Sequence, residues 1–209
     1  MQIKWLGNST FLIKTSLSKK ILIDPFTPLE LLDLDTTVDI ITFSKDFHKI
    51  SNFDLSKYGA KIVTRDEIYS ENNIKIKGYL SYSDAVEGLK RGKNYIYLYE
   101  IDGLRLCHLG YLGHFLNAEI INTLKNVDVL FLPIGGNICL NGSESYKLSE
   151  LLTPKYIIPM CYKCDNCDFY FNGPLDYISK CKNIFNTNTS EINIKDFPNN
   201  TPLTVLLKH

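Results

Sequence analysis

The sequence has no excess of charge of either sign. Its 23 Lys and Arg residues balance 23 Asp and Glu residues, which argues against a general polyanion binder, because such proteins carry a basic surplus. No window approaches the roughly 20 apolar residues of a membrane-spanning helix. The opening stretch, Met1 to Phe11, is broken by Lys4, Gly7 and Asn8 and lacks the apolar segment of a secretion signal. There is no repeat, low-complexity tract or linker. Gly135-Gly136 lacks the glycine spacing and the Lys-Ser/Thr of a phosphate loop. These absences leave a cytoplasmic protein as the expectation, with no nucleic-acid or membrane partner.

What is present is ordinary for a globular protein. The 209 residues can bury roughly 70% of their unfolded surface, so the chain needs no covalent staples. The six cysteines, Cys107, Cys139, Cys161, Cys164, Cys167 and Cys181, are expected to be free thiols or metal ligands in a reducing compartment.

Strand signals dominate the first half: Ile3–Leu6, Thr10–Lys14, Lys20–Ile23, Asp39–Thr42, Lys61–Thr64 and Ile74–Leu80. Tyr95–Ile101 and Leu104–His108 flank Asp102-Gly103, a dipeptide suited to a tight hairpin turn. The second half mixes types. Helices are predicted over Asn117–Lys125, Ser143–Leu152 and Pro174–Cys181, and strands over Val127–Pro133, Tyr156–Pro159 and Thr201–Leu207. Early hairpins followed by strand–helix alternation suit one α/β domain over residues 1–209, with two packed sheets and helices outside.

Several strand-end segments carry a resemblance. They are Trp5-Leu6-Gly7-Asn8-Ser9-Thr10, Ile21-Leu22-Ile23-Asp24-Pro25, Arg91-Gly92-Lys93-Asn94, His108-Leu109-Gly110, Leu112-Gly113-His114, Pro133-Ile134-Gly135-Gly136 and Pro154 to Met160. In this order they resemble metallo-β-lactamase-fold metal-dependent hydrolases of the ascorbate-6-phosphate lactonase-like branch. The resemblance runs from about residue 3 to about residue 180 and implies a four-layer αββα sandwich. Fold resemblance alone does not carry activity across.

The resemblance also implies where metal ligands would stand. The family's T-H-x-H-x-D-H signature falls on Thr42-Phe43-Ser44-Lys45-Asp46-Phe47-His48. The first His position is Phe43, the second is Lys45 and the Asp position is Phe47, so only His48 matches. The branch's S-Y-H-D segment reads Ser81-Tyr82-Ser83-Asp84, which puts Ser83 at a ligand position. Its bridging Asp is Tyr111, the His of its I-P-M-H-Y is Cys161, and the His of its opening G-H-S is Asn8.

Zinc needs three or four His, Cys, Asp or Glu donors. Phe43 and Phe47 have none, and Lys45 brings a positive charge. The expectation is therefore a non-catalytic protein with no cofactor. Its vestigial cleft would be lined by Asn8, Phe43, Lys45, Phe47, His48, Ser83, Tyr111 and Cys161, and would bind a small molecule or protein, with homo-oligomerisation open. The alternative is a hydrolase of phosphorylated sugar lactones or phosphodiesters using zinc or manganese in a non-standard site. Its weak ligand candidates are His48, Cys161, Cys164 and Cys167. A further alternative gathers Cys161, Cys164 and Cys167 as a soft-metal or redox site, with a disulfide between two of them as the bland option. His108 and His114 flank Tyr111 and are read as structural residues bonding backbone rather than as acid–base catalysts.

Overall fold

The computed structural model describes residues 1–25, 37–45, 59–65, 67–164 and 170–208. Phe47, His48, Cys167 and His209 lie outside the described residues.

Two mixed sheets face each other. The first orders its strands β13-β1-β2-β3-β4-β5, where β1 is Gln2–Trp5, β2 Phe11–Lys14, β3 Lys20–Ile23, β4 Ile40–Thr42, β5 Lys61–Val63 and β13 Glu191–Asn193. The second orders them β12-β14-β11-β10-β9-β8-β7-β6. Here β6 is Ile68–Glu71, β7 Ile74–Tyr82, β8 Lys93–Ile101, β9 Leu104–His108, β10 Val129–Pro133, β11 Tyr156–Met160, β12 Ile184–Asn186 and β14 Leu203–Leu206. Three α-helices are described: α1 (Ala118–Leu124), α2 (Gly142–Leu152) and the single-turn α3 (Leu175–Ile178).

Pairing direction follows residue type. The long hairpin strand β7 alternates buried Ile74 and Ile76 with exposed Lys75 and Lys77, and it pairs antiparallel with β8. By contrast, β10 (Val-Leu-Phe-Leu-Pro) is buried throughout and runs parallel to both β9 and β11. A strand covered on both faces reads as a continuous apolar run.

The main core fills the space between the sheets. Ile3, Trp5, Phe11, Ile13, Ile21, Ile23 and Ile40 from the first sheet join Tyr97, Tyr99, Leu106, Phe131 and Ile158 from the second. Phe11 and Phe131 meet across the sandwich with ring centroids 4.5 Å apart. Leu148 and Leu152 of α2 belong to the same cluster. A smaller cluster of Leu22, Val38, Ile41 and Phe43 forms separately. Strand alternation puts it on the opposite face of the first sheet, because Leu22 lies between the core residues Ile21 and Ile23.

The α2 helix starts at a capping box. Asn141 Oδ1 accepts from the Glu144 N–H, and Glu144 Oε2 accepts from the Asn141 N–H, each at 2.9 Å. The third helix is shorter than its sequence suggests. From Ser179 on, the Lys180 and Cys181 N–H groups bond three residues back, to Tyr177 and Ile178, so the last turn tightens and leaves α geometry. Strands β6, β12 and β13 have no counterpart in the sequence reading. Each has three or four residues and at most one buried side chain, too little pattern to register as a strand. Among the described residues, no helix is long and apolar enough to cross a membrane.

Candidate functional site

The strand ends of both sheets meet around Tyr111. Its side chain is 5% exposed, and the Ser9 hydroxyl donates to its oxygen at 3.1 Å. The Tyr111 N–H donates to Asn94 Oδ1 at 2.7 Å, while Asn94 Nδ2 donates to Ser81 Oγ at 2.7 Å and to the Leu109 carbonyl at 3.0 Å. One buried amide thus ties β7 and β8 to the loop after β9. Gly110 makes this approach possible. Its φ is +58°, and a Cβ there would fall 2.5 Å from both Asn94 Oδ1 and Ser44 Cβ. Gly113 is placed the same way against the Ser83 carbonyl, which a Cβ would meet at 2.1 Å.

Asp24 closes the other side. It is fully buried after β3, at a φ of +49°, and accepts from the Ser44 N–H at 2.5 Å and from the Ser44 hydroxyl. Burial pushes its carboxyl above the usual range, against the opposing pull of the nearby His108 and the Ser44 bonds. His108 is also fully buried, and burial lowers its pKa. Its Nδ1 accepts from the Gly110 N–H at 3.2 Å, so Nε2 carries the proton and donates to the Ser9 carbonyl at 2.9 Å. His114 is held in the same manner. It accepts from the Tyr82 N–H at 3.1 Å and bonds the Phe115 carbonyl at 2.8 Å. Both histidines therefore spend their nitrogens on backbone groups.

Lys45 stands half-buried over the cluster. Its Nζ lies 5.4 Å from the Tyr111 ring centroid and donates to the Arg91 carbonyl at 3.1 Å. Burial, and then the Arg91 charge, lower its pKa, while Asp24 and Asp84 oppose the shift. Asp84 organises the loop that holds Arg91. Its two oxygens accept from the N–H groups of Val86, Gly88, Lys90 and Arg91 at 2.6 to 3.1 Å. Burial alone would raise its pKa, but these four donors hold it below the usual carboxylate range.

The structure brings together most of the sequence-derived cleft residues it describes. Asn8, Lys45, Tyr111 and Cys161 neighbour one another: the Cys161 N–H donates to the Asn8 carbonyl at 3.1 Å, and Ser9 next to Asn8 reaches Tyr111. Ser83 is fully buried in the adjoining loop, against Gly113. Phe43 does not join them. Its side chain packs with Leu22, Val38 and Ile41 on the far face of the first sheet, and the inward position is taken by Ser44. Asn8 Oδ1 and Ser83 Oγ are buried with no hydrogen-bond partner, an uncommon state for polar atoms.

The cysteines divide by burial. Cys161 is fully buried, and burial drives its thiol well above its ordinary pKa. Cys139 is pushed up to about 12 for the same reason. Cys164 is in a disulfide rather than a thiolate cluster. Among the described residues, no three His, Cys, Asp or Glu side chains are grouped so that they could hold a metal ion.

Sequence reasoning missed Ser9, Asp24, Ser44, Asp84 and Asn94 as members of this cluster. Their signal was present, since Asp24, Asp84 and Asn94 lie within the quoted segments Ile21–Pro25, Ser81–Asp84 and Arg91–Asn94. Attention to ligand positions alone passed over the polar residues that brace them.

Comparison with known proteins agrees with this architecture. A family model described as a β-lactamase superfamily domain matches residues 2–161. A UPF0173 metal-dependent hydrolase of Thermococcus onnurineus is 31% identical over 193 residues, covering 78% of this chain and 84% of the relative. A UPF0173 metal-dependent hydrolase of Pyrobaculum islandicum is 30% identical over 190 residues, with the same coverage of each chain. The crystal structure of a candidate Zn-dependent hydrolase of the metallo-β-lactamase superfamily from Thermotoga maritima superposes with a TM-score of 0.77 at 26% identity, covering 100% of this chain and 99% of that one. With its two packed mixed sheets and the match over residues 2–161, this chain belongs to the β-lactamase superfamily and to the UPF0173 family within it.

Proposed function

We propose that this chain is a non-catalytic member of its family, whose metal centre has been replaced by a closed polar cluster and whose remaining activity is binding of a small ligand or protein at that cleft. The observation that carries this reading is the placement of Lys45, a cation whose Nζ lies 5.4 Å from the Tyr111 ring, over the cluster. A dication would have to share that space with an ammonium group.

The residues present around Tyr111 do not fit zinc or manganese. Of Tyr111 and Cys161, only the cysteine is of a type that zinc commonly takes. Asn8 and Ser83 offer neutral oxygens, which are poor zinc donors. The two buried carboxylates of the cluster are both engaged, Asp24 by Ser44 and Asp84 by four backbone N–H groups. The cysteine alternative fits no better, since Cys164 is in a disulfide.

The second reading is a working hydrolase of phosphorylated sugar lactones or phosphodiesters, and the naming of the relatives as metal-dependent hydrolases favours it. It would draw on ligands outside the described residues, His48 first among them. Elemental analysis of protein expressed with added zinc, manganese and iron separates the two. The pseudoenzyme reading expects no stoichiometric metal and no hydrolysis of bis(p-nitrophenyl) phosphate or a phosphorylated sugar lactone. One metal per chain with chelator-sensitive turnover would overturn it.

A further inference from the structure

The dipeptide Asn-Gly occurs twice in the sequence, as Asn141-Gly142 and Asn172-Gly173. Chemically the two pairs are alike. Each sets a side-chain amide next to a backbone nitrogen that no neighbouring Cβ shields, because glycine has no side chain. Such a nitrogen can close a five-membered ring on the amide carbon of the asparagine before it. The fold treats the two pairs differently.

Asn141 is tied down, since its side chain caps α2 by accepting from the Glu144 N–H at 2.9 Å. Gly142 is buried in the first turn of that helix, and a Cβ there would fall 2.5 Å from the Tyr177 nitrogen. Ring closure at this pair would break the cap and move backbone that has no room. Asn172 and Gly173 are both exposed. The Asn172 N–H donates to the Gly135 carbonyl at 2.8 Å, and its carbonyl accepts from the Lys163 N–H at 2.9 Å. Among the described residues, however, neither the Asn172 side-chain amide nor the Gly173 N–H makes a hydrogen bond. A Cβ on Gly173 would meet nothing within 4 Å, so the reacting peptide has open space around it.

We propose that Asn172 is a site of spontaneous deamidation, at which the Gly173 nitrogen displaces the side-chain amide and water completes its conversion to an acid. The Gly173 nitrogen bonds to Asn172 Cγ, the Cγ–Nδ2 bond breaks, and ammonia leaves with the proton of the Gly173 N–H. Water then opens the ring at either of its carbonyls and gives aspartate or isoaspartate. Both products carry a new carboxylate, and isoaspartate also routes the main chain through the former side chain. The change falls beside the Tyr111 cluster. The ring of the preceding residue, Phe171, stacks on that of Tyr111 with centroids 6.5 Å apart. Gly135, which Asn172 holds, packs so closely on the Cys161 carbonyl that a Cβ would meet it at 2.0 Å.

The full chain is incubated at mildly alkaline pH, folded in one sample and unfolded in guanidinium chloride in another, and both are followed by peptide mapping with mass spectrometry. Unfolded, the two asparagines should convert at similar rates. Folded, Asn172 should convert at least about tenfold faster than Asn141, a barrier difference of about 1.4 kcal/mol. Raising the pH should speed conversion at Asn172, because the attacking nitrogen must lose its proton. Gly173→Ala places a Cβ in open space beside that nitrogen and should slow conversion while leaving the fold intact. Three results would each overturn the proposal: Asn172 intact in the folded chain after the unfolded chain has converted, equal conversion of the two sites in the folded chain, or an unchanged rate in Gly173→Ala.

Discussion

Tyr111 and Tyr177 are both nearly sealed from solvent, and their surroundings differ. Tyr111 is locked from several directions, with its hydroxyl on Ser9, its N–H on Asn94 and Lys45 over its ring. Around it Asp24, Ser44, Asn94 and His108 each have partners. Tyr177 lines a cavity, while its hydroxyl is sealed without a hydrogen-bond partner. Burial raises both phenols above their ordinary pKa, so both stay protonated donors. Burial alone does not tell a tyrosine that ties segments together from one that only fills space. The distinction lies in whether the hydroxyl's bond is already made within the fold.

The sharpest way to break the first half of this comparison is Asp24→Ala. It leaves the Ser44 N–H and hydroxyl without acceptors in a fully buried place. Two orphaned donors should cost about 3 kcal/mol, read as a lower urea midpoint at unchanged m-value. A loss near zero would mean that the cluster is not braced as described.

The paired substitutions Tyr111→Phe and Tyr177→Phe sharpen the contrast, because one chemical change is made in two places. Tyr111→Phe removes a made bond and should lower stability by about 1 kcal/mol. Tyr177→Phe removes an unmade one and should raise stability by about as much. Thermal melts of the two variants should therefore shift in opposite directions. Shifts of the same sign would erase the distinction.

The smallest effect concerns the outer wall of the second region. Asp176 accepts from the Ser143 N–H and hydroxyl and from Lys180, joining α3 to the start of α2. The Lys180 bond first, and then the Ser143 bonds, hold its carboxyl down to about 2 from an ordinary 3.8. The folded pKa is depressed, so the stability it contributes is present above 3.8 and is lost as pH falls toward 2. Its exposure keeps the contribution small. Asp176→Asn should flatten the acid limb of stability over that window and leave the neutral region slightly less stable. Denaturation curves between pH 2 and pH 7 measure it.

The legibility of the chain followed burial. Strands β3 and β9 were read to their end residues and β10 nearly so, because their side chains meet the core along most of their length. The edge strands β6, β12 and β13 were not read, since few of their side chains touch anything apolar. Tyr111, Cys161, Lys45, Asn8 and Ser83 were named by aligning positions with a known pattern, and the structure sets them near one another. Phe43 was placed in the cleft by the same alignment, yet its side chain faces the other way. A one-dimensional match names positions without saying which face of the strand each presents.

The sequence by itself determined the sandwich, because alternating and continuous apolar runs can be buried in few other ways. Only the tertiary structure decided which hydroxyls end with partners. Ser9 with Tyr111, Asp24 with Ser44, and Tyr177 with none are outcomes of distances between segments up to about a hundred residues apart. Hydrogen bonds need sub-ångström placement that residue order does not encode locally. The closed cluster and the open cavity therefore became distinguishable only once the chain was packed.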